Sequence, residues 1–232
     1  MQTSLRELFL RKGADRRLRG GHLWVYSNEV DTGRTPLGAF AAGDCVAVRG
    51  ADGRLLGSAY MEPQSLICAR LYASGELLHL DQAFFYRRLQ AALDGRLPAF
   101  AKPFSRLAYG DSDTLPGGVI ERCADYRGVQ LNIAGLERCR GPLLAALVML
   151  REPAGILLRG DSRSRREQGL EDTVEVVFGE VPTEVPLEEN GVRFLAPVHA
   201  GQKTGWFYDH RMARARLAPW VGGKSVLDVY SY

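Results

Sequence analysis

Between Gly20 and Pro63 the chain is interrupted at short intervals by turn-forming stretches: Gly20-Gly21, Thr35-Pro36-Leu37-Gly38, Ala42-Gly43-Asp44, Ala51-Asp52-Gly53 and Glu62-Pro63. Glycine and proline punctuate local structure strongly, so the apolar runs between them are the length of strands rather than helices. This rhythm predicts a small β-barrel or sandwich over residues 1–75. Its sharpest local signal is Asp52-Gly53 between Val46-Ala47-Val48-Arg49 and Leu55-Leu56-Gly57-Ser58-Ala59-Tyr60, the pattern of a tight hairpin. Leu66 to Tyr72 then reads as a further strand of the same sheet.

The text changes near Asp81. Ala83, Phe84, Arg87, Arg88, Leu89 and Ala92 fit an amphipathic helix with Asp81 placed to cap it, ending near Asp94-Gly95. Strands are expected around Leu107 to Tyr109, Gly118 to Arg122 and Val129 to Ile133. An apolar helix follows from Gly141 to Leu150, with Pro142 in its first turn. Ile156 to Leu158 and Glu175 to Phe178 read as closing strands. Strands, helix and strands without regular βαβ alternation predict an α+β unit with a mostly antiparallel sheet over residues 76–186.

Pro182, Pro186 and Glu188-Glu189-Asn190-Gly191 mark a turn-rich joint, and residues 187–232 read as a third unit. It holds a strand from Val192 to Ala196, a polar loop from Gly201 to Phe207 and a helix from Asp209 to Trp220. Ser225 to Tyr230 then forms a continuous apolar run of the kind buried in a parallel sheet. Such a strand needs neighbours on both edges, so the sequence predicts a unit cut off at its first strand. The other reading of this run is a last strand added to the middle sheet.

Lysine and arginine together number 30 and aspartate and glutamate 27, a net charge of +3 that by itself identifies no nucleic-acid partner. Their distribution is more informative. Arg11, Lys12, Arg16, Arg17 and Arg19 crowd one segment, Arg159, Arg163, Arg165 and Arg166 a second, and Arg211, Arg214 and Arg216 a third. No stretch reaches the length of a membrane span, and Met1 to Leu10 carries no secretory leader, so the expected compartment is the cytoplasm. Cys45, Cys68, Cys123 and Cys139 form no CxxC pair, which suggests neither a zinc site nor a disulfide framework.

Three segments resemble the bacterial 23S rRNA cytosine-C5 methyltransferases that carry an N-terminal PUA domain. His22-Leu23-Trp24-Val25-Tyr26-Ser27 is similar to the family's opening His-Pro-Trp-Val-Phe-Ser. Gly110-Asp111-Ser112-Asp113-Thr114-Leu115-Pro116-Gly117-Gly118-Val119-Ile120-Glu121-Arg122 is similar to its middle signature. Gly201 to Arg211, followed by Val226-Leu227-Asp228-Val229-Tyr230-Ser231-Tyr232, resembles its lysine-threonine-glycine loop and the opening of its cofactor motif. Leu23 departs from a usual proline and His210 from a usual glutamine. The resemblance implies a PUA-like β-barrel, an α+β middle domain and the start of a Rossmann-like methyltransferase domain.

It also implies S-adenosylmethionine as cofactor and large-subunit rRNA as partner, and it allows a homodimer. Lys203, Thr204, Gly205, Phe207, Asp209, Arg211, Asp228, Ser231 and Tyr232 fall where the family places the cofactor side of its pocket. Asp209 capping its own helix and Arg211 in a surface ion pair are the structural alternatives. For RNA, Arg11, Lys12, Arg16, Arg17, Trp24 and Arg163 are the candidate contacts, although the rings of Trp24 and Tyr26 suit a barrel core better than base stacking. Methylation at C5 needs a thiolate to add at C6. The resemblance puts that cysteine beyond Tyr232 and gives none of the four present that role. A non-catalytic PUA-type RNA-binding protein and a methyltransferase for another RNA are the competing readings.

Overall fold

The computed structural model describes residues 5–100, 102–201 and 204–229. The first unit runs through β1 (Arg6–Phe9), α1 (Arg16–Arg19), β2 (Trp24–Tyr26), β3 (Cys45–Arg49), β4 (Leu55–Met61) and β5 (Ile67–Ser74). Its sheet has the order β1-β3-β4-β5-β2. The hairpin expected at Asp52-Gly53 is the β3–β4 turn, where Gly53 takes φ +83°. The two edges of the sheet are tied by a bridge between Leu10 and Val30 and by Arg11 N–H donating to the Glu29 carbonyl at 2.8 Å. Closure removes the open edges that a five-stranded sheet would otherwise expose, and the result is the small barrel expected. Leu8, Val25, Val46, Val48, Met61 and Cys68 fill it.

The second unit comprises α2 (Gln82–Arg96), β6 (Phe104–Tyr109), β7 (Gly118–Cys123), β8 (Tyr126–Leu131), α3 (Ala134–Arg138), α4 (Arg140–Arg151), β9 (Gly155–Gly160), α5 (Arg163–Glu167) and β10 (Thr173–Gly179). Asp81 caps α2 as its sequence position predicts, accepting from the Phe84 N–H at 2.7 Å. The sheet order is β10-β9-β8-β7-β6, antiparallel except where β8 and β9 run parallel. That parallel step needs a crossover, and α3 with α4 supplies it. α4 packs with α2 over one face of the sheet, burying Phe84, Phe85, Leu89, Leu143 and Leu147.

The two units share one core. Tyr60 of β4 and Tyr72 of β5 are buried with Phe84 and Leu136 rather than inside the barrel. Their rings lie 4.8 Å apart, and Tyr72 meets Phe84 edge-on at 5.8 Å. Gly135 of α3 sits against this pair, so close that a Cβ there would stand 2.3 Å from Tyr60 Cδ1.

Two expectations are corrected here. The boundary placed between residues 186 and 187 falls inside a strand, because β11 (Val185–Glu189) pairs antiparallel with β12 (Val192–Ala196) around Asn190-Gly191. Both turn residues have positive φ, 52° and 81°, as a tight hairpin requires. Pro186 and the paired glutamates hide this strand in the sequence. A two-stranded ribbon tolerates them because every strand in it is an edge.

The second correction concerns the apolar run at the end of the chain. After α6 (Arg211–Val221), residues 225–229 form no strand, and Val226 and Leu227 are 64% and 87% exposed. A strand exists only through the hydrogen bonds of a neighbour, and none lies beside this run among the described residues. Tyr230 lies outside them.

Replacement of glycine by alanine within a helix ordinarily stabilises by about 0.5–1 kcal/mol. Gly135→Ala should do the opposite, costing about 1–3 kcal/mol as the added methyl forces Tyr60 aside. Urea unfolding measures it, and a stabilised variant would show that the seam between the units is loosely packed.

Candidate functional site

On β7, alternate residues face opposite sides of the sheet. Ile120 enters the shared core, while Glu121 and Cys123 face the segment from Val181 to Tyr208 that crosses the other side. Glu121 is buried. It accepts hydrogen bonds from the Arg106 guanidinium at 2.8 and 3.1 Å and from the Thr204 hydroxyl. Burial pushes the Glu121 carboxyl above the usual glutamate range, against the opposing pull of Thr204 and Arg106. Its cross-strand partner is Gly128, and a side chain at that position would meet Thr204.

Two more buried charges act on the same segment. Arg159 of β9 donates to the carbonyls of Val198 at 2.6 Å and Gly201 at 2.9 Å while paired with Asp161 at 2.8 Å. Glu189 of β11 accepts from Arg214 at 2.5 Å and from the Trp206 indole N–H at 3.0 Å. Although burial opposes it, these donors hold the Glu189 carboxyl below its usual range. Gly205 takes φ +95° to let the backbone turn against Pro197. The loop is thus clamped to the sheet by Glu121 and Arg159 and to the β11–β12 ribbon by Glu189, none of which the sequence marks as a site residue. The available signal was a charge within, or at the end of, an otherwise apolar strand, as in Val119-Ile120-Glu121 and Ile156-Leu157-Leu158-Arg159.

The residues expected on the cofactor side divide accordingly. Thr204 is buried, and its hydroxyl is used by Glu121. Arg211 donates to the Phe104 carbonyl, lies 3.5 Å from Glu189 and stacks 4.8 Å from the Phe100 ring, so it holds α6 against β6. Asp209 does not cap the helix. It lies in a short 3-10 turn, Tyr208–His210, with its side chain 60% exposed. Phe207 stacks on His210 with ring centroids 5.8 Å apart. Asp228 sits in the exposed irregular segment, and Lys203, Ser231 and Tyr232 lie outside the described residues.

Behind the loop Glu121, Arg127, Arg159, Thr204 and Tyr208 line a chamber of about 20 Å³, room for one water molecule. Among the described residues Arg127 donates to the backbone carbonyls of Ala124 and Tyr126 alone, and burial pulls its pKa down to about 10.

Among the candidate RNA contacts, Arg11, Lys12 and Arg16 are exposed. The segment is not an open loop, however, because Arg16–Arg19 is helical. Arg17 is consumed internally, paired with Glu29 at 2.8 Å and lying over the Tyr26 ring at 4.6 Å. Trp24 is half-buried at the edge of the barrel, and its indole N–H donates to Asp111 at 2.6 Å. Arg163 is exposed and pairs with Glu167 at 2.8 Å. Its neighbour Arg165 is buried, donating to Leu131, Glu171 and Glu137, so that part of the second arginine cluster is structural.

All four cysteines are free. Burial pushes Cys68 and Cys139 up to about 12 and Cys123 to about 11, and raises Cys45 as well. Among the described residues no helix is long and apolar enough to cross a membrane.

Residues 8–74 match the family model of a PUA-like domain. The chain is similar to ribosomal RNA large subunit methyltransferase I of Aliivibrio fischeri, 36% identical over 231 residues. That match covers 97% of this chain and 57% of the relative. The protein of the same name from Shewanella denitrificans is 36% identical over 227 residues, covering 96% and 57%. The chain therefore spans little more than half the length of the curated relatives it matches. Among solved structures, a candidate SAM-dependent methyltransferase from Streptococcus mutans superposes with a TM-score of 0.74 at 21% identity, covering 92% of this chain and 54% of that one. A second candidate methyltransferase, complexed with SAH, gives a TM-score of 0.75 at 20% identity, with 92% and 53% covered. These two similarities show a shared fold.

Two outcomes follow from the loop and its thiols. Thr204→Val removes a donor to ionised Glu121. A carboxyl whose folded pKa is raised gives stability that is complete below the unfolded value and lost as pH rises through the folded one. Losing the hydroxyl raises that folded value further. The variant should therefore cost about 1–3 kcal/mol at pH 7.5 and clearly less at pH 4, as read by urea melts at both. Equal costs at both pH values would mean that Thr204 does not serve the carboxylate. Separately, none of the thiols should react quickly with Ellman's reagent at pH 7.5 until the chain is unfolded. One fast thiol in the native protein would identify a reactive cysteine.

Proposed function

We propose that these 232 residues are the RNA-binding portion and the outer wall of the cofactor side of an S-adenosylmethionine-dependent methyltransferase acting on cytosine C5 in large-subunit rRNA. The observation that carries this reading is the continuous similarity to rRNA methyltransferases over 97% of the chain, through barrel, α+β unit and clamped loop alike. Such a protein would work in the cytoplasm, where ribosomes are assembled. The units are best divided near Gly75 and just before β11 rather than within it.

For the cofactor, the described residues fit a wall rather than a finished pocket. The chamber behind Thr204 holds one water molecule, and Thr204 and Arg211 spend their donors inside the protein. Their role in this reading is to fix the loop, leaving Phe207 and exposed Asp209 on its outer side. When bound, S-adenosylmethionine supplies a sulfonium methyl group. Attack on it by C5 needs a nucleophile at C6, and the four raised thiols here are poor candidates for that thiolate. We therefore assign the nucleophile to a cysteine outside these residues.

For the RNA, a base within folded rRNA must be unstacked before any chemistry, and spread phosphate contacts hold its surroundings. Lys12 and Arg16 are the foremost of these on the barrel, being exposed and without an ion pair among the described residues. Arg11 and Arg163 contribute at either side.

In a gel-shift titration with fragments of large-subunit rRNA, Lys12→Ala with Arg16→Ala should weaken binding across sequences and lower the salt slope by about 2. Arg17→Ala should do less, and should cost stability instead. The chain alone should transfer no tritiated methyl group to rRNA. In a protein of the relatives' full length, nucleoside analysis should find 5-methylcytidine. A different methylated nucleoside would overturn the assignment to C5, and absence of RNA binding would overturn the reading as a whole.

A further inference from the structure

The signature Gly110 to Gly118 is not used by the clamped loop, and its geometry is unusual. Gly110, Thr114 and Gly117 all have positive φ, at 50°, 53° and 78°. A Cβ on Gly117 would stand 2.4 Å from Ile133, and one on Gly118 would stand 2.9 Å from Leu115. Asp113 receives a two-pronged contact from Arg96 and accepts from the Tyr109 N–H at 2.7 Å. Asp111 is held from the other side by the Trp24 indole. A polar loop this closely braced is a rigid wall, and it stands at the junction of barrel and second sheet.

Between that wall and the barrel lies a cleft of about 570 Å³, the size of a site for a nucleotide-sized ligand. Trp24, Arg70, Tyr109, Asp111, Asn132 and Glu167 are among the residues that line it. Tyr109 is 53% exposed with the Arg106 guanidinium over its ring at 5.0 Å, and no hydrogen bond to its hydroxyl is made among the described residues. The Arg70 guanidinium lies over the Trp24 ring at 5.3 Å and donates no hydrogen bond among the described residues. Asn132, which lines the cleft, accepts from Ser162 through its carbonyl oxygen, and its side-chain amide donates no hydrogen bond among the described residues.

We propose that this cleft receives an unstacked base of single-stranded RNA, flanking the nucleotide that the enzyme modifies. This deepens the RNA-binding reading above and rests on it. The carboxylates of Asp111 and Glu167 argue against a phosphate and for a base edge, since they accept from exocyclic amino groups while Asn132 and Arg70 donate. The exposed Tyr109 ring and the Trp24–Arg70 stack give the base its faces. Ser164 and Glu167 of α5 line the cleft, and Arg163 on the same helix, paired with Glu167 at 2.8 Å, lies exposed beside it.

The test measures fluorescence anisotropy of the 232-residue chain with a labelled single-stranded RNA heptamer of mixed sequence and with a blunt RNA duplex. Tyr109→Ala with Asn132→Ala should weaken single-strand binding about tenfold and leave duplex binding within twofold. Tyr109→Phe should bind like the unmodified chain, since the ring is kept, and circular dichroism should show the fold intact in each. Lys12→Ala with Arg16→Ala should weaken both RNAs alike. If the unmodified chain binds RNA and the cleft variant binds the heptamer equally well, the cleft is not a base site although the RNA reading survives. If the unmodified chain binds neither RNA, the RNA reading fails and the base site with it. Equal weakening for heptamer and duplex would make the cleft a backbone contact and overturn its assignment to a base.

Discussion

The packing of Tyr60 and Tyr72 against Phe84 and Leu136 determines what the remainder of the molecule can present. Both tyrosines belong to barrel strands, yet they are buried by the helices of the neighbouring unit. Barrel and second sheet thereby meet along an apolar seam rather than across a wet hinge. Interfaces between tethered domains are commonly modest and mobile. A seam of interlocked aromatic rings, with a helix glycine pressed against one of them, fixes the angle between the two units. The junction cleft inherits its shape from that fixed angle, because its two walls belong to different sheets.

Charge is used in two ways that the sequence does not separate. Arg159 and Arg165 lie in a cluster as ordinary-looking as that of Lys12 and Arg16, but each serves backbone carbonyls and a carboxylate inside the protein. Buried guanidinium groups that satisfy several acceptors at once act as cross-links between chain segments distant in sequence. A mild net positive charge therefore understates the uneven outer surface, and a count of arginines overstates the number open to a polyanion.

How much could be read from the letters follows from the range of the forces involved. The Asp52-Gly53 hairpin, the Asp81 cap and the alternation along β7 are local, so turn chemistry and periodicity reveal them. β11 was missed because Pro186 and Glu188-Glu189 are poor strand residues, and only the facing β12 makes them one. The run at 225–229 was overread for the converse reason, its composition suiting a strand whose partner is not among the described residues. In the site, the loop from Gly201 to Phe207 lies against the second sheet. The roles of its side chains were not legible, because the partners of Thr204 and Arg211 lie 83 and 107 residues earlier in the chain.

The parallel pairing of β1 with β3 carries a consequence for how the barrel comes into being. Arg6–Phe9 finds its partner only at Val46–Arg49, some forty residues later, and the Leu10–Val30 bridge depends on the same arrangement. Loop closure over that span must precede its reward, whereas β6, β7 and β8 form consecutive hairpins that zip locally. β1, made some forty residues before its partner, is thus among the last barrel strands to settle. The barrel's apolar lining waits for a strand already made, and a chaperone has its longest opportunity while that lining is uncovered.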